Sequence, residues 1–282
     1  MANFTIPSVS EFIEVGGTRY AYRKLGAATG VPLVFFIHFR GTIENWDPHM
    51  IEPIAKERPV ILFDNKGVGE TNGETPTTIA EMASDAAQFI KALELGKVDI
   101  LGFSIGGMVA QEVALQQGQL VRRLILAGTS PEAGINPDSE IFQRMNKNGG
   151  TQEEGIEDFM FFFYRPTESS RARGMASLQR IFAQKTINSS DQVQQAQLQA
   201  IAKWAQPKET QQFEWLQQIT HPVLVTNGVT DVMVPTANSY VLTEKLPNAQ
   251  LIVYPDSGHG HLFQFPKEFA KHVNQFLDSE AY

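Results

Sequence analysis

VDILGFSIGGMVAQEVALQQ, Val98 to Gln117, changes its periodicity halfway along. Its first six residues, apolar but for Asp99 and Gly102, are of strand length and read as a strand of a parallel sheet. From Ile105 the pattern is helical, and Gly118 stops it. The junction reads Gly102-Phe103-Ser104-Ile105-Gly106-Gly107, a G-x-S-x-G pattern at a strand-to-helix turn. So sharp a turn forces the serine out at the top of the sheet. The glycines two residues to either side admit an approach of strand and helix that a Cβ would block. The helix also aims its first amides at the serine, so the Ile105 N–H can donate to a developing oxyanion. Without context the same letters describe a glycine-lined turn with an incidental serine.

The context extends in both directions. Toward the amino terminus, Gly16-Gly17 between Phe12–Val15 and Arg19–Tyr22 signals a hairpin. Val31–Phe39 and Val60–Phe63 read as buried strands, and Thr78–Leu95 as a helix opened by the capping box Thr78-x-x-Glu81 and closed by Gly96. Leu124–Ala127 is a further strand. This β-α-β alternation predicts an α/β fold whose mostly parallel sheet carries helices on both faces. From Pro131 to about Trp215 the strand pattern gives way to helical, Gln-rich segments. It resumes with strands at Pro222–Thr226 and Leu251–Tyr254 and helices at Thr236–Leu246 and Pro266–Leu277. Residues 1–130 and 216–282 are therefore expected to form one core. Residues 131–215 would be a helical cap over the carboxyl ends of the strands, where open α/β sheets bind ligands, or a subdomain packed elsewhere.

The 282 residues carry 31 acidic and 23 basic side chains, a formal charge of −8, and no cysteine. At roughly 150 residues per domain, that length suits two domains, or one with an insertion. The acidic balance and the lack of a basic stripe argue against nucleic acid as a partner. The missing cysteines exclude a disulfide framework, a thiolate nucleophile and Cys-ligated metal. Met1–Ser10 lacks the basic and apolar regions of a secretory leader, so the mature chain is expected to start there. The longest uncharged run, Trp215–Thr230, is too short and too polar for a membrane span. A soluble, cytoplasmic protein is expected.

A serine nucleophile needs a base. His259, in Ser257-Gly258-His259-Gly260, follows the strand ending at Tyr254, with His261 as a competitor two residues on. Asp231 follows another strand and can hold an imidazole in one tautomer, although aspartate is also common in a plain strand-to-helix turn. Nucleophile, acid and histidine thus occur in the order Ser, Asp, His, each just past a predicted strand.

Over nearly its whole length the sequence resembles the α/β-hydrolase family. The likeness rests on the serine turn, on Phe36-Ile37-His38 and on Asp64-Asn65-Lys66-Gly67-Val68-Gly69. It also rests on Pro222 to Asp231 and on Gly258-His259 followed by Pro266. It implies Ser104 as nucleophile, Asp231 as partner and His259 rather than His261 as the acid-base, and it puts the family's helical lid at 131–215. One departure stands out. Where relatives have His-Gly-x, this chain has His38-Phe39-Arg40-Gly41. The Arg40 N–H, or that of Phe39, is expected to join Ile105 in the oxyanion hole. The Arg40 side chain either lines the pocket with Phe39 and meets a substrate carboxylate, or turns away to Glu44 or Asp64.

The function implied is a cofactor-free serine hydrolase, a carboxylesterase forming an acyl-enzyme with small esters. Perhydrolase or haloperoxidase, lactonase and C–C bond hydrolase activities share the triad, and a non-catalytic receptor is the alternative of another kind. The rings of Phe159–Tyr164 must divide between core and pocket, and Trp204 and Trp215 share that ambiguity. Glu153, Glu154, Glu157 and Asp158 read as a solvated helix start. His38 is expected to be structural, and His49, His221 and His272 lack metal-ligand spacing. The sequence leaves monomer or homodimer undetermined.

Overall fold

Gly16 and Gly17 take φ values of 58° and 82°, the left-handed pair that a two-residue hairpin turn requires. Glu11–Val15 (β1) therefore turns straight back onto Thr18–Gly26 (β2), with Val15 opposite Thr18. A computed structural model describes residues 6–136, 139–146, 151–184, 187–206 and 213–281. Residues 1–5 of the expected leaderless start, and residues 137–138, 147–150, 185–186 and 207–212 of the expected helical segment, lie outside the described residues.

After the hairpin come Leu33–Phe36 (β3), Pro48–Glu57 (α1), Pro59–Phe63 (β4), Ile79–Ala92 (α2), Val98–Phe103 (β5), Ile105–Gln117 (α3) and Val121–Ala127 (β6). Four helices follow: Glu140–Met145 (α4), Gln152–Phe163 (α5), Glu168–Phe182 (α6) and Asp191–Trp204 (α7). The chain then returns with Val223–Gly228 (β7), Ala237–Lys245 (α8), Ala249–Tyr254 (β8), His261–Gln264 (α9) and Pro266–Asp278 (α10). Among the described residues the strands form one eight-stranded sheet in the order β1-β2-β4-β3-β5-β6-β7-β8. It is parallel from β4 to β8 and antiparallel at β1-β2 and β2-β4.

Alternation along the strands feeds two cores. Val34 and Phe36 face the side packed by α2 and α3, whereas Leu33 and Phe35 face the side packed by α1 and α10. Leu124 and Leu126 divide from Ile125 and Ala127 in the same way. Burial on both faces is why these strands read as unbroken apolar runs, each large side chain contributing about 1.5–3 kcal/mol.

The structure trims or adds to the expected elements in a few places. β3 ends at Phe36 rather than Phe39, because His38–Gly41 forms a hydrogen-bonded turn (Gly41 N to His38 O, 3.0 Å). β6 begins at Val121, three residues before the expected Leu124. The sequence reading missed α1, which holds Pro48 at its start and Pro53 within. Pro48 needs no partner at a first-turn position, and Asp47 caps the helix by accepting from His49 N at 2.9 Å.

Between β6 and β7 the described elements are helical, and α4 to α7 each have a Ser or Thr cap: Ser139, Thr151, Thr167 and Ser190. These helices are tied by polar bonds to loops beside the sheet. Arg180 on α6 forks onto Asp47 (Nη2 to Oδ2, 2.7 Å), and Gln192 on α7 donates to Thr75 O and accepts from Thr75 N. Nearby, the buried ion pair of Arg23 and Glu44 fixes β2 to the loop before α1. No described helix is long and apolar enough to cross a membrane.

Candidate active site

Ser104 sits at φ 59° and ψ −123°, a conformation that L-residues rarely adopt and that the surroundings enforce. A Cβ on Gly102 would lie 2.4 Å from Gly106 O, and one on Gly106 would lie 2.1 Å from Phe36 O. Helix α3 can therefore press against the ends of β5 and β3 only with glycine at both positions. The Ser104 N–H donates to Ala127 O (2.9 Å), and its carbonyl accepts from Thr129 Oγ1 (2.8 Å). As the first residue of α3, Ile105 carries one of the amides that an α-helix leaves unpaired at its start.

Asp231 lies three residues beyond β7. Its Oδ1 accepts from Met233 N (2.8 Å) and Val234 N (2.9 Å), leaving Oδ2 to face His259 Nδ1 at 2.7 Å. A carboxylate can only accept from a neutral imidazole, so Nδ1 carries the hydrogen and Nε2 keeps its lone pair. The ring lies 4.9 Å from Phe103 and 5.3 Å from Phe163, and both His259 and Asp231 are buried. His261 is also buried but committed elsewhere. Its Nδ1–H donates to His259 O (3.1 Å), and its Nε2 accepts from Thr226 Oγ1 (3.0 Å). Burial lowers its pKa to about 3. It is a neutral strut beneath the loop.

Ser104 and His259 line one cavity of about 230 Å³ at the carboxyl ends of the strands. Its floor includes His38, Phe39 and Arg40, and its roof comes from the insertion, with Met145, Phe159, Phe162 and Phe163 presenting apolar surface. The expected division of the aromatic run is visible here. Phe163 stacks on Phe159 at 4.0 Å, Tyr164 turns into the interior to bond Ser177, and Phe161 remains exposed. Trp204 is buried and meets Trp215 edge-on at 5.8 Å, away from the cavity lining.

Asp158, expected in a solvated helix start, keeps about a third of its side chain exposed. It lines the cavity beside Arg144, which bonds it through Nε at 2.6 Å. Neither member of this pair had a sequence signal, since their spacing along the chain matches no motif.

In the loop bearing the unusual Phe39, the Arg40 side chain lines the cavity with Phe39 and does not turn away to Glu44 or Asp64. Phe39 keeps a negative φ, and Arg40 takes the left-handed conformation at φ 59°. Arg40 N donates to Gln197 Oε1 on α7 at 2.7 Å. Its guanidinium donates to Gln194 Oε1 (2.7 Å) and Ser189 O (3.1 Å). Glu44 is taken by Arg23, and Asp64 accepts from Ile43 N and Glu70 N, so neither holds Arg40. Gln197 and Gln194 escaped sequence reading because a glutamine inside a helix has no distinctive pattern.

His38 is buried between Phe103 (5.5 Å) and Phe163 (5.4 Å), and its Nδ1–H donates to Phe39 O at 2.9 Å. Burial lowers its pKa to about 4, against the smaller upward pull of that hydrogen bond. Among the described residues no three His, Asp or Glu side chains cluster to hold a metal ion.

Comparison with known proteins bears on this geometry. An alpha/beta hydrolase fold protein from Chitinophaga pinensis, of known structure, is 39% identical over 97% of this chain and 98% of its own, with a TM-score of 0.89. The "Putative non-heme bromoperoxidase BpoC" of Mycobacterium tuberculosis is 26% identical over 89% of this chain and 95% of its own. A poly(3-hydroxyalkanoate) depolymerase of Ectopseudomonas oleovorans is 27% identical over 88% and 85%. With the family profile described as alpha/beta hydrolase fold matching residues 32–266, the chain belongs to the α/β-hydrolase family and is a hydrolase of that fold.

Proposed function

We propose that the protein hydrolyses small carboxylic esters through an acyl-enzyme on Ser104, with no cofactor. The observation that carries this reading is the buried Asp231–His259 pair, 2.7 Å apart, in the same cavity as a serine on a strained turn. Ser104 Oγ attacks the ester carbonyl while His259 Nε2 takes its proton, and Asp231 stabilises the imidazolium. His259 returns the proton to the leaving alcohol, and water repeats the sequence to release the acid. The Ile105 N–H donates to the tetrahedral oxyanion. The Arg40 N–H is committed to Gln197, so this reading assigns the second place to the Phe39 N–H, the other amide expected there.

A cavity of about 230 Å³ with phenylalanine and methionine on its roof suits a short acyl group, being smaller than the roughly 300–1,000 Å³ of pockets for drug-sized ligands. Residues 131–215 act as the lid over a core of 1–130 and 216–282. The relative whose name concerns a polyester supports ester chemistry on this scaffold.

The test is pre-steady-state release of p-nitrophenol from p-nitrophenyl acetate, run beside a panel of esters and lactones of graded acyl length. The wild type should show a burst, and Ser104→Ala should lower kcat by at least about 10³-fold. A Ser104→Ala variant that kept its rate would falsify the triad assignment.

A further inference from the structure

We infer that Gln197, on the inserted helix α7, is a positioning residue for the oxyanion loop, an inference that rests on the hydrolase reading above. The turn His38–Gly41 is closed by Gly41 N on His38 O (3.0 Å). Arg40 is its third residue, at φ 59°, while Phe39 is not left-handed. That is the pattern of a type II turn, whose third position favours glycine or asparagine. Rotating the 39–40 peptide by about half a turn would give a type I turn, take Arg40 out of the left-handed region and exchange the places of Phe39 C=O and Arg40 N–H. Something must hold the disfavoured form.

Both ends of that one peptide are gripped. Phe39 O accepts from His38 Nδ1–H at 2.9 Å, and Arg40 N donates to Gln197 Oε1 at 2.7 Å. The carbonyl acceptor and the low pKa of His38 fix it as a neutral Nδ1–H donor. The grip extends around Arg40. Ser189 Oγ donates to Arg40 O, and Gln194 Oε1 accepts from the guanidinium. Gln194 and Gln197 are both buried and stand one helical turn apart on α7, so both face the loop. Gln197 is absent from the lining of the cavity that holds Ser104, whereas Phe39 and Arg40 belong to it. The glutamine therefore acts from behind the turn, holding it so that the Phe39 N–H serves the site.

The test compares Gln197→Met, which keeps the length but loses the acceptor, with Gln197→Glu, which keeps an acceptor. Both would be assayed with p-nitrophenyl acetate, titrated with a fluorophosphonate that labels the nucleophile, and challenged with an alkylboronic acid that mimics the tetrahedral adduct. Gln197→Met should lower kcat by about 10- to 100-fold, with KM within about twofold, and weaken boronate binding by the same factor. Gln197→Glu should recover most of the rate. Merely loosened packing would shift KM and melting temperature in both variants without this split. The inference is overturned if Gln197→Met keeps or raises kcat, or if Gln197→Glu is as slow as Gln197→Met. Failure of the fluorophosphonate to label wild-type Ser104 would instead remove the hydrolase reading, and the inference with it.

Discussion

His38 and His261 are buried imidazoles with pKa values lowered to about 4 and about 3. An unfolded chain binds protons on both below about pH 6.5, while the folded chain refuses them until far lower. Their stabilisation is fully present above that pH and is lost as the pH falls through 6 and 5. Asp64 works in the opposite sense. Burial raises it to about 6 against the N–H bonds from Glu70 and Ile43, so the folded chain keeps a proton there that the unfolded chain releases. With two histidines acting against one aspartate, stability should fall on the order of 1 kcal/mol per unit near pH 5. Melting midpoints between pH 7 and 4.5 should fall accordingly, and His261→Gln should flatten the slope; an unchanged slope would contradict the buried neutral state. Arg40 offers a second measurement. Its side-chain hydrogen bonds go to neutral oxygens while it lines the cavity. Arg40→Ala should cost more kcat/KM for p-nitrophenyl hemisuccinate than for p-nitrophenyl butyrate, and equal losses would discard substrate-carboxylate recognition.

The turn between β5 and α3 was legible because its requirement is steric and local: two glycines at fixed offsets from a serine between two periodicities. Its coordinates turn that rule into a measurement. A methyl group at residue 106 would meet the Phe36 carbonyl at 2.1 Å, so Gly106→Ala should destabilise by about 3 kcal/mol and lower activity with it, read by denaturant titration and ester turnover. A variant of wild-type stability would mean that α3 can slide. The hairpin was legible for the same reason, through Gly16 and Gly17. Helix α1 was not, because Pro53 interrupts its pattern and its support is tertiary, with Met50, Ile51 and Ile54 buried against the sheet. The loop at Phe39 and Arg40 was half legible. The departure from glycine was plain, but which residue would take the left-handed angle depends on Gln197, 157 positions away.

At the level of the whole molecule, the insertion and the sheet domain are held together by paired charges and amides at their border. The carboxylate of Asp47 is fully buried and gripped by Arg180, whose side chain is about a quarter exposed. Removing the cation leaves that carboxylate with only its cap bond to His49 N. Arg180→Met should therefore cost about 2 kcal/mol, seen as a lower melting midpoint and earlier proteolytic cleavage within 131–215; an unaltered cleavage pattern would show that this tie does not secure the insertion. The helices between β6 and β7 were legible as a loss of strand pattern, but not their ties to the rest of the chain, which join residues more than a hundred positions apart.

The same connectivity sets a clock on synthesis. Ser104 leaves the ribosome well before His259, which follows 155 residues later, on the loop after β8. At about 5–20 residues per second, roughly 8–30 s separate the two. Throughout that interval the nascent chain carries Ser104 without His259, so under the proposed mechanism acyl transfer must wait for the later segment to be made and to fold.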